Sequence, residues 1–499
     1  MILNLTVLLA AGTAWVAALW LALAPDFSHW NMAGIAAAHV LPPLLVWLLW
    51  YALRKRAHGK RAAEAKAREE AAQAERKATR EAAQKKYEEE MRQRRFSCDC
   101  RMVAIPRLGL PVELPAVDVD HPSIDIRPTI LDDQEEREGI TALDRLEPAI
   151  ADALYSIYST SRASAAFPIF VQPPAETSGE EVLSRLRAIH VQLSSEIAPE
   201  LKQGNAHPPI LFLPASDSVP NSIVSLFETA PDLPGAVILA FDSPFARSTA
   251  EEDDFYDEPV SDPREQFTGK PSEGVVALLM TNAELPSMLA AIADATPRDE
   301  QDSMTPYWEK AMQAGGRLEM LARATPELRT ELSEAPVLGR VHRAVVQTAA
   351  SSGVLGLTRQ LQEVLEQAQI NAGLIDLPFD LDGKSADKDD TVPDAVKTRC
   401  GAIVHNAGNV DVAGKRLAAL GSALYYFNID LSPVDQEAAV NIVTRIGDLG
   451  RAARVGQLAL GLVCAARHTA PALYAEFMGG EGIAASFVMP AIAESAQAT

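Results

Sequence analysis

Two uncharged apolar runs open the chain. Residues 2–24 carry no charged side chain, and residues 32–53 carry none either, although His39 and the Pro42-Pro43 pair interrupt the second run. A bilayer core needs roughly 20 apolar residues of helix to cross it. The pattern therefore predicts two spans joined by the short segment from Pro25 to Asn31, a transmembrane hairpin over residues 1–54. Trp15, Trp20, Trp30, Trp47, Trp50 and Tyr51 are the aromatic residues expected near the membrane interfaces. A cleaved signal peptide fits poorly, because no Lys or Arg precedes the first run and a second run follows directly.

The pattern then changes character. Residues 55–95 are almost entirely Ala, Glu, Lys, Arg and Gln, with Gly59 the lone breaker. These residues favour helix, and their charges alternate in sign. No apolar heptad is sustained, so a single solvated helical stalk of ~60 Å is expected. Residues 96–139 are Pro-rich with short apolar runs, among them Val103 to Ile105 and Ile124 to Ile126, and read as a connecting region.

From residue 140 onward, runs with strand periodicity alternate with runs of helical periodicity. Helices are predicted over residues 143–159, 179–201, 220–229, 282–293, 306–324, 341–368, 412–425 and 450–466. Strands are predicted over 167–172, 209–213, 235–241, 274–281, 401–404 and 482–488. Such alternation indicates an α/β fold. Two halves are expected, residues 140–281 and 282–499.

Charge sets orientation and excludes one class of partner. Arg54, Lys55, Arg56, Lys60, Arg61, Lys66 and Arg68 follow the second apolar run, whereas the intervening loop holds only Asp26. The positive-inside rule then puts the soluble bulk in the cytoplasm, held at the inner membrane. A net charge of -22 argues against nucleic-acid binding, which needs clustered Lys and Arg. Four cysteines are too few for a disulfide scaffold. Cys98 and Cys100 form a C-x-C pair without further metal ligands nearby, and Cys400 and Cys464 sit in apolar surroundings. No cofactor is implied.

Four segments, in order, resemble the thiolase-like fold of β-ketoacyl synthases. Gly235 to Ser243 is similar to the strand that follows the nucleophile helix of that family. Ser272-Glu273-Gly274 resembles its Gly-Glu-Gly strand. Val404-His405-Asn406-Ala407-Gly408-Asn409 stands in the place of its His-Gly-Thr-Gly-Thr motif. Ile446-Gly447-Asp448-Leu449-Gly450-Arg451-Ala452-Ala453 stands in the place of Gly-His-x-x-Gly-Ala-Ala. The resemblance implies a layered, internally duplicated α/β domain.

The departures bear on chemistry. The family uses a Cys nucleophile at a helix N-terminus. The matching stretch here is Ala215-Ser216-Asp217-Ser218, which has no Cys, and Asp448 replaces the second His. A carboxylate donates no hydrogen bond to an oxyanion unless it is protonated. Ser216, Ser218, His405 and Asp448 are therefore expected as a vestigial pocket, and the domain is expected not to be an enzyme. The alternative is a membrane-bound acyltransferase or hydrolase using Ser216 or Ser218 with His405.

The overall layout also resembles the adaptor proteins of type VI secretion lipase effectors, through its anchor, stalk and α/β domain and the texture of segments such as Ser156 to Arg162 and Phe167 to Val171. That resemblance implies cytoplasmic capture of a protein effector, a lipase, with contact to secretion spike components. The segment Glu251, Glu252, Asp253, Asp254, Phe255, Tyr256, Asp257 and Glu258, extending to Asp262, is the candidate docking loop, because clustered carboxylates steer a basic surface and aromatics supply contact area.

Overall fold

The computed structural model describes residues 2–23, 31–109, 121–129, 141–175, 177–201, 207–243, 269–294, 321, 324–348, 353–376, 400–478 and 482–491. The chain divides near Glu88 into an N-terminal unit and a larger domain.

In the N-terminal unit, α1 (Ile2–Leu23) is followed by α2 (Met32–Arg94). The apolar run and the charged run expected as span and stalk form one uninterrupted helix of 63 residues. Gly59 does not break it, and nothing lies within 4 Å of where its Cβ would be. Exposed pairs such as Lys66–Glu70 at 3.6 Å and Lys77–Glu81 at 3.9 Å line the charged part. Each such pair adds only about 0.3–0.5 kcal/mol, so helix propensity does most of the stabilising. Among the described residues, α2 is the one helix long and apolar enough to cross a membrane by length and composition.

Pro42 and Pro43 lie inside α2. A proline has no N–H, so the carbonyl four residues earlier loses its helical donor. For Pro42 that carbonyl belongs to Ala38. The indole Nε1–H of Trp15, on α1, donates to it at 2.7 Å.

The domain begins with the last turn of α2. Met91 is buried, Arg94 Nη1 donates to Gln367 Oε1 at 2.8 Å, and Arg95 pairs with Asp376 at 2.6 Å. The first half then runs β1 (Ser97–Gly109), β2 (Ile124–Thr129), α3 (Ala142–Thr160), β3 (Ile169–Gln172), α4 (Gly179–Ile197), β4 (Ile210–Phe212), α5 (Val219–Thr229), β5 (Gly235–Asp242) and β6 (Gly274–Asn282). Helices α6 (Leu285–Asp294) and α7 (Pro326–Glu334) lead to the second half. That half runs β7 (Gly339–His342), β8 (Val345–Gln347), α8 (Val354–Asn371), β9 (Ala402–His405), α9 (Val410–Tyr426), β10 (Ala439–Asn441), α10 (Ala453–His468), β11 (Ala472–Phe477) and β12 (Ile483–Pro490).

The strands form one continuous sheet in the order β10-β9-β11-β12-β7-β1-β6-β5-β3-β4, with β2 beside β1 and β8 beside β12. The order is palindromic. Leave out β2 and β8 and number the remaining strands of each half along the chain: both halves read 3-2-4-5-1. In both, the 3-2 and 2-4 pairs are parallel, and the 4-5 and 5-1 pairs are antiparallel. The halves join where β1 meets β7 antiparallel, Ser97 opposite His342 and Cys98 opposite Val341. The domain is thus duplicated, and its two sheets are fused into one.

Alternation along the strands sorts side chains into layers. On β5, Ala236, Ile238 and Ala240 share a core with Ile223 and Phe227 of α5 and with Leu458 and Leu462 of α10; Tyr474 of β11 joins the same core from the second half. Val237, Leu239 and Phe241 face the other way, into a core with α3 and α4. On β11, Leu473, Ala475 and Phe477 face a third core with α8 and α9. Helices α5 and α10 therefore lie between the two half-sheets, with a helical layer outside each.

Three expectations are corrected. Residues 97–109, read as part of a connecting region, form the strand at the centre of the sheet; Cys98, Cys100, Val103 and Ile105 enter one core and Met102 and Ala104 another, with Asp99 and Arg101 buried among them. Residues 341–347, read as the start of a long helix, are β7 and β8; Val341, Val345 and Val346 are β-branched and favour strand. Residues 472–477, left unassigned, are β11, a short apolar run whose periodicity does not distinguish helix from strand. The helix expected over residues 306–324 falls mostly outside the described residues.

Candidate functional site

The loop after β4 leads into α5 through Ala215, Ser216, Asp217 and Ser218. Ser218 is buried and caps the helix, its Oγ accepting from Asn221 N at 3.3 Å. Ser216 is exposed, and its Oγ–H donates to Asp217 Oδ1 at 3.0 Å. The same Oδ1 accepts from Asn221 Nδ2 at 2.8 Å. The Asn221 amide also holds the turn between β7 and β8, accepting from Ala344 N at 2.8 Å and donating to Ala344 O at 3.1 Å.

His405 ends β9 and is fully buried. Ala407 N–H donates to Nδ1 at 3.3 Å, which places the ring proton on Nε2, and Nε2 lies 2.8 Å from Pro433 O. Both nitrogens thus serve the backbone around β9. Burial lowers the pKa to about 4, so the ring is neutral at pH 7. No hydrogen bond joins His405 to Ser216, Ser218 or Asp448. His405 is a structural residue here and does not act as a base for either serine.

Asp448 works in a turn. Its Oδ1 accepts from Gly450 N at 2.8 Å, its N–H donates to Lys270 O at 2.8 Å, and its carbonyl accepts from Ser272 N at 3.0 Å. Gly447 beside it has φ +92°, and a Cβ there would strike Lys270 O. The residues that resemble the second His motif hold the loop before α10 against the loop before β6.

The structure adds a cluster that the sequence reading missed. Glu476, near the end of β11, is fully buried. Arg454 Nε pairs with Oε1 at 2.8 Å, and Tyr474 Oη–H donates to Oε2 at 2.7 Å. Burial raises the Glu476 pKa and Arg454 opposes that rise; Asp217, close enough to act on Glu476, adds to it. The loop before α5 therefore lies within electrostatic reach of the end of β11. Gln457 of α10 donates to Val404 O at 3.1 Å and Ala475 O at 2.8 Å, and Asn406 accepts from Phe477 N at 2.6 Å. The available signal was the acid inside the otherwise apolar run Ala472–Phe477.

A second buried carboxylate, Glu273, precedes β6. Arg107 and Arg145 reach it at 2.5 Å each, and Ser243 Oγ–H donates to it at 2.9 Å. It joins β1, α3, β5 and β6 and is fully buried. Cys98 and Cys100 are buried in the central layer, and burial pushes Cys100 up to about 12, so neither is a thiolate. Among the described residues no group of three or more His, Cys, Asp or Glu is placed to hold a metal. The acidic segment from Glu251 to Glu258 lies outside the described residues.

No family model matches the chain, and no curated protein matches it in sequence. Among solved structures it is similar to the ketosynthase from module 6 of the bacillaene synthase of Bacillus subtilis, with 11% identity and a TM-score of 0.36, covering 70% of this chain and 58% of that one. It is similar to the ketosynthase from module 1 of the bacillaene synthase of Bacillus amyloliquefaciens, with 11% identity and a TM-score of 0.40 over 80% of this chain and 76% of that one. It is also similar to OleA of Xanthomonas campestris, with 12% identity and a TM-score of 0.36, covering 79% of this chain and 98% of that one. The chain thus spans just over half the length of the first of these. The expectation that the domain is not an enzyme is corrected: the similar solved structures include ketosynthases, which are enzymes. Nothing in the comparisons bears on an effector adaptor.

Proposed function

We propose that this chain is a membrane-anchored acyltransferase or acyl hydrolase, with Ser216 as the hydroxyl that takes the acyl group. One observation carries the reading: Ser216 Oγ–H, exposed at the approach to α5, is hydrogen-bonded to the Asp217 carboxylate at 3.0 Å. In the proposed step, Ser216 Oγ attacks the carbonyl of an acyl thioester or ester while Asp217 takes its proton; the bond to the donor sulfur or oxygen then breaks, the leaving thiol or alcohol takes that proton from Asp217, and the acyl group stays on Ser216. Water or an acceptor hydroxyl then releases the acyl group from Ser216.

Asp217 opposes a developing oxyanion only while it is ionised, and taking the serine proton removes that charge. The N-terminal end of α5 favours negative charge nearby. A carboxylate is a weaker base than imidazole for a serine hydroxyl, so turnover is slow compared with His-assisted enzymes. His405 has no part in it.

The anchor completes the reading. The Trp15 bond to the carbonyl that Pro42 frees supports a paired anchor, and the Lys- and Arg-rich stretch after the second apolar run argues for a domain on the cytoplasmic side of the inner membrane. The test is hydrolysis of short acyl thioesters and aryl esters by the full chain in nanodiscs. Ser216→Ala and Asp217→Asn each abolish turnover, whereas Ser218→Ala retains it. Turnover absent from the wild type, or unchanged in Ser216→Ala, contradicts the proposal.

A further inference from the structure

A carboxylate that stands in solvent does not hold one orientation by itself. Asp217 is exposed, and its χ1 has three staggered wells to choose from. Glu476 lies within electrostatic reach of it, and like charges repel. The Ser216 hydroxyl is a weak restraint, because its own hydrogen rotates to suit its partner. A second donor converges on the same oxygen. Asn221 Nδ2 lies 2.8 Å from Asp217 Oδ1, and a hydrogen bond to an ionised acceptor is among the stronger kinds.

Asn221 is fixed in turn by the other half of the domain. Its Oδ1 accepts from Ala344 N at 2.8 Å, and its Nδ2 donates to Ala344 O at 3.1 Å. The amide thus pairs with the backbone of Ala344 as one peptide group pairs with another. That pairing sets which way the amide faces. Turned over, it would put donor against donor at Ala344 N and acceptor against acceptor at Ala344 O and Asp217 Oδ1. One Nδ2 hydrogen serves Ala344 O, and the other serves Asp217. The backbone of Asn221 is held as well, its N–H donating to Ser218 Oγ in the first turn of α5. Ala344 lies in the turn between β7 and β8, so a fixed point on the second half sets a carboxylate on the first.

We infer that Asn221 is the positioning residue of this site: seated on the Ala344 backbone, it holds the Asp217 carboxylate at the Ser216 hydroxyl. The inference rests on the proposed reaction, in which Asp217 takes the serine proton and passes it to the leaving group. Asn221 touches neither the acyl group nor that proton. Its contribution is the fraction of time that Asp217 spends in the productive rotamer. Positioning matters most where the proton matters most. An alkyl alcohol leaves poorly until it is protonated, whereas a nitrophenol leaves readily as its anion. Loss of positioning therefore falls harder on an alkyl ester, while a plain loss of folded protein lowers both esters by one factor.

The experiment compares kcat/KM for a nitrophenyl ester and for the ethyl ester of the same acid, with the full chain in nanodiscs. Wild type, Asn221→Ala and Asn221→Asp are measured side by side. Asn221→Ala lowers kcat/KM about tenfold for the nitrophenyl ester and about a hundredfold for the ethyl ester, within the range of a positioned acid or base. Asn221→Asp keeps the shape and the bond from Ala344 N but sets an acceptor against Asp217, and it gives the same unequal pattern. If Asn221→Ala does not fold, Asn221→Asp decides. Unchanged kcat/KM in the variants, or an equal loss for both esters, overturns the positioning role and leaves the Ser216 reaction standing. No turnover by the wild type, or turnover that survives in Ser216→Ala, removes the reaction and the positioning role with it.

Discussion

Buried imidazoles give the domain a pH dependence that can be read proton by proton. His190, His342 and His405 are all held near pKa 4 by burial, against 6.5 in a free chain. A folded value below the unfolded one means that unfolding takes up protons between the two. Stability is complete above pH 6.5 and is lost as pH falls towards 4. At pH 5 unfolding takes up about two to three protons from these rings alone. Calorimetric unfolding of the full chain in buffers of different ionisation enthalpy measures that uptake; a value near zero contradicts the buried neutral assignment. A second residue-scale prediction concerns Gly447. With φ at +92° and Lys270 O in the way of a Cβ, Gly447→Ala strains both backbone and contact. It costs about 2 kcal/mol or more, seen as a lowered denaturation midpoint, whereas Gly414→Ala on α9, with nothing within 4 Å, costs nothing or stabilises.

At the scale of elements, long periodic segments were legible. Helices α3, α4, α5 and α9 and strands β5, β6, β9 and β12 fall within a few residues of their predicted places, because each has a clear amphipathic or apolar pattern and capping residues such as Thr141 and Ser218. What stayed hidden depends on partners distant in sequence. Residues 97–109 read as a linker because nothing local says that β6 and β7 will flank them. Glu476 read as nothing because its meaning lies in Arg454, on the preceding helix, and Asp217, across the domain. The reverse happened with His405: it was visible as a motif, but its ring turned out to serve Pro433 and Ala407. In the N-terminal unit, Trp15 supplies the donor that Pro42 removes from Ala38. Trp15→Phe keeps the apolar surface and deletes the donor, so it loosens α1 from α2. A cysteine pair placed across the two helices near these residues should crosslink less efficiently in that variant. Equal crosslinking would show that the bond holds nothing.

For the whole molecule, the palindromic sheet puts helices α5 and α10 in one central layer and brings the loop before α5 towards the end of β11. That arrangement, and not any single motif, makes the Ser216 loop a candidate site. The charged stretch after the second apolar run predicts that the soluble domain faces the cytoplasm. A reporter active only in the cytoplasm, fused after Thr499, is expected to work, and activity of a periplasm-only reporter at that position would reverse the orientation. The most direct measurement of the central claim is the mass of the intact protein after brief exposure to an activated acyl ester. The account predicts a single added acyl group that maps to Ser216 on digestion and is missing from Ser216→Ala. An unmodified mass, or an acyl group found on another residue in both proteins, contradicts it.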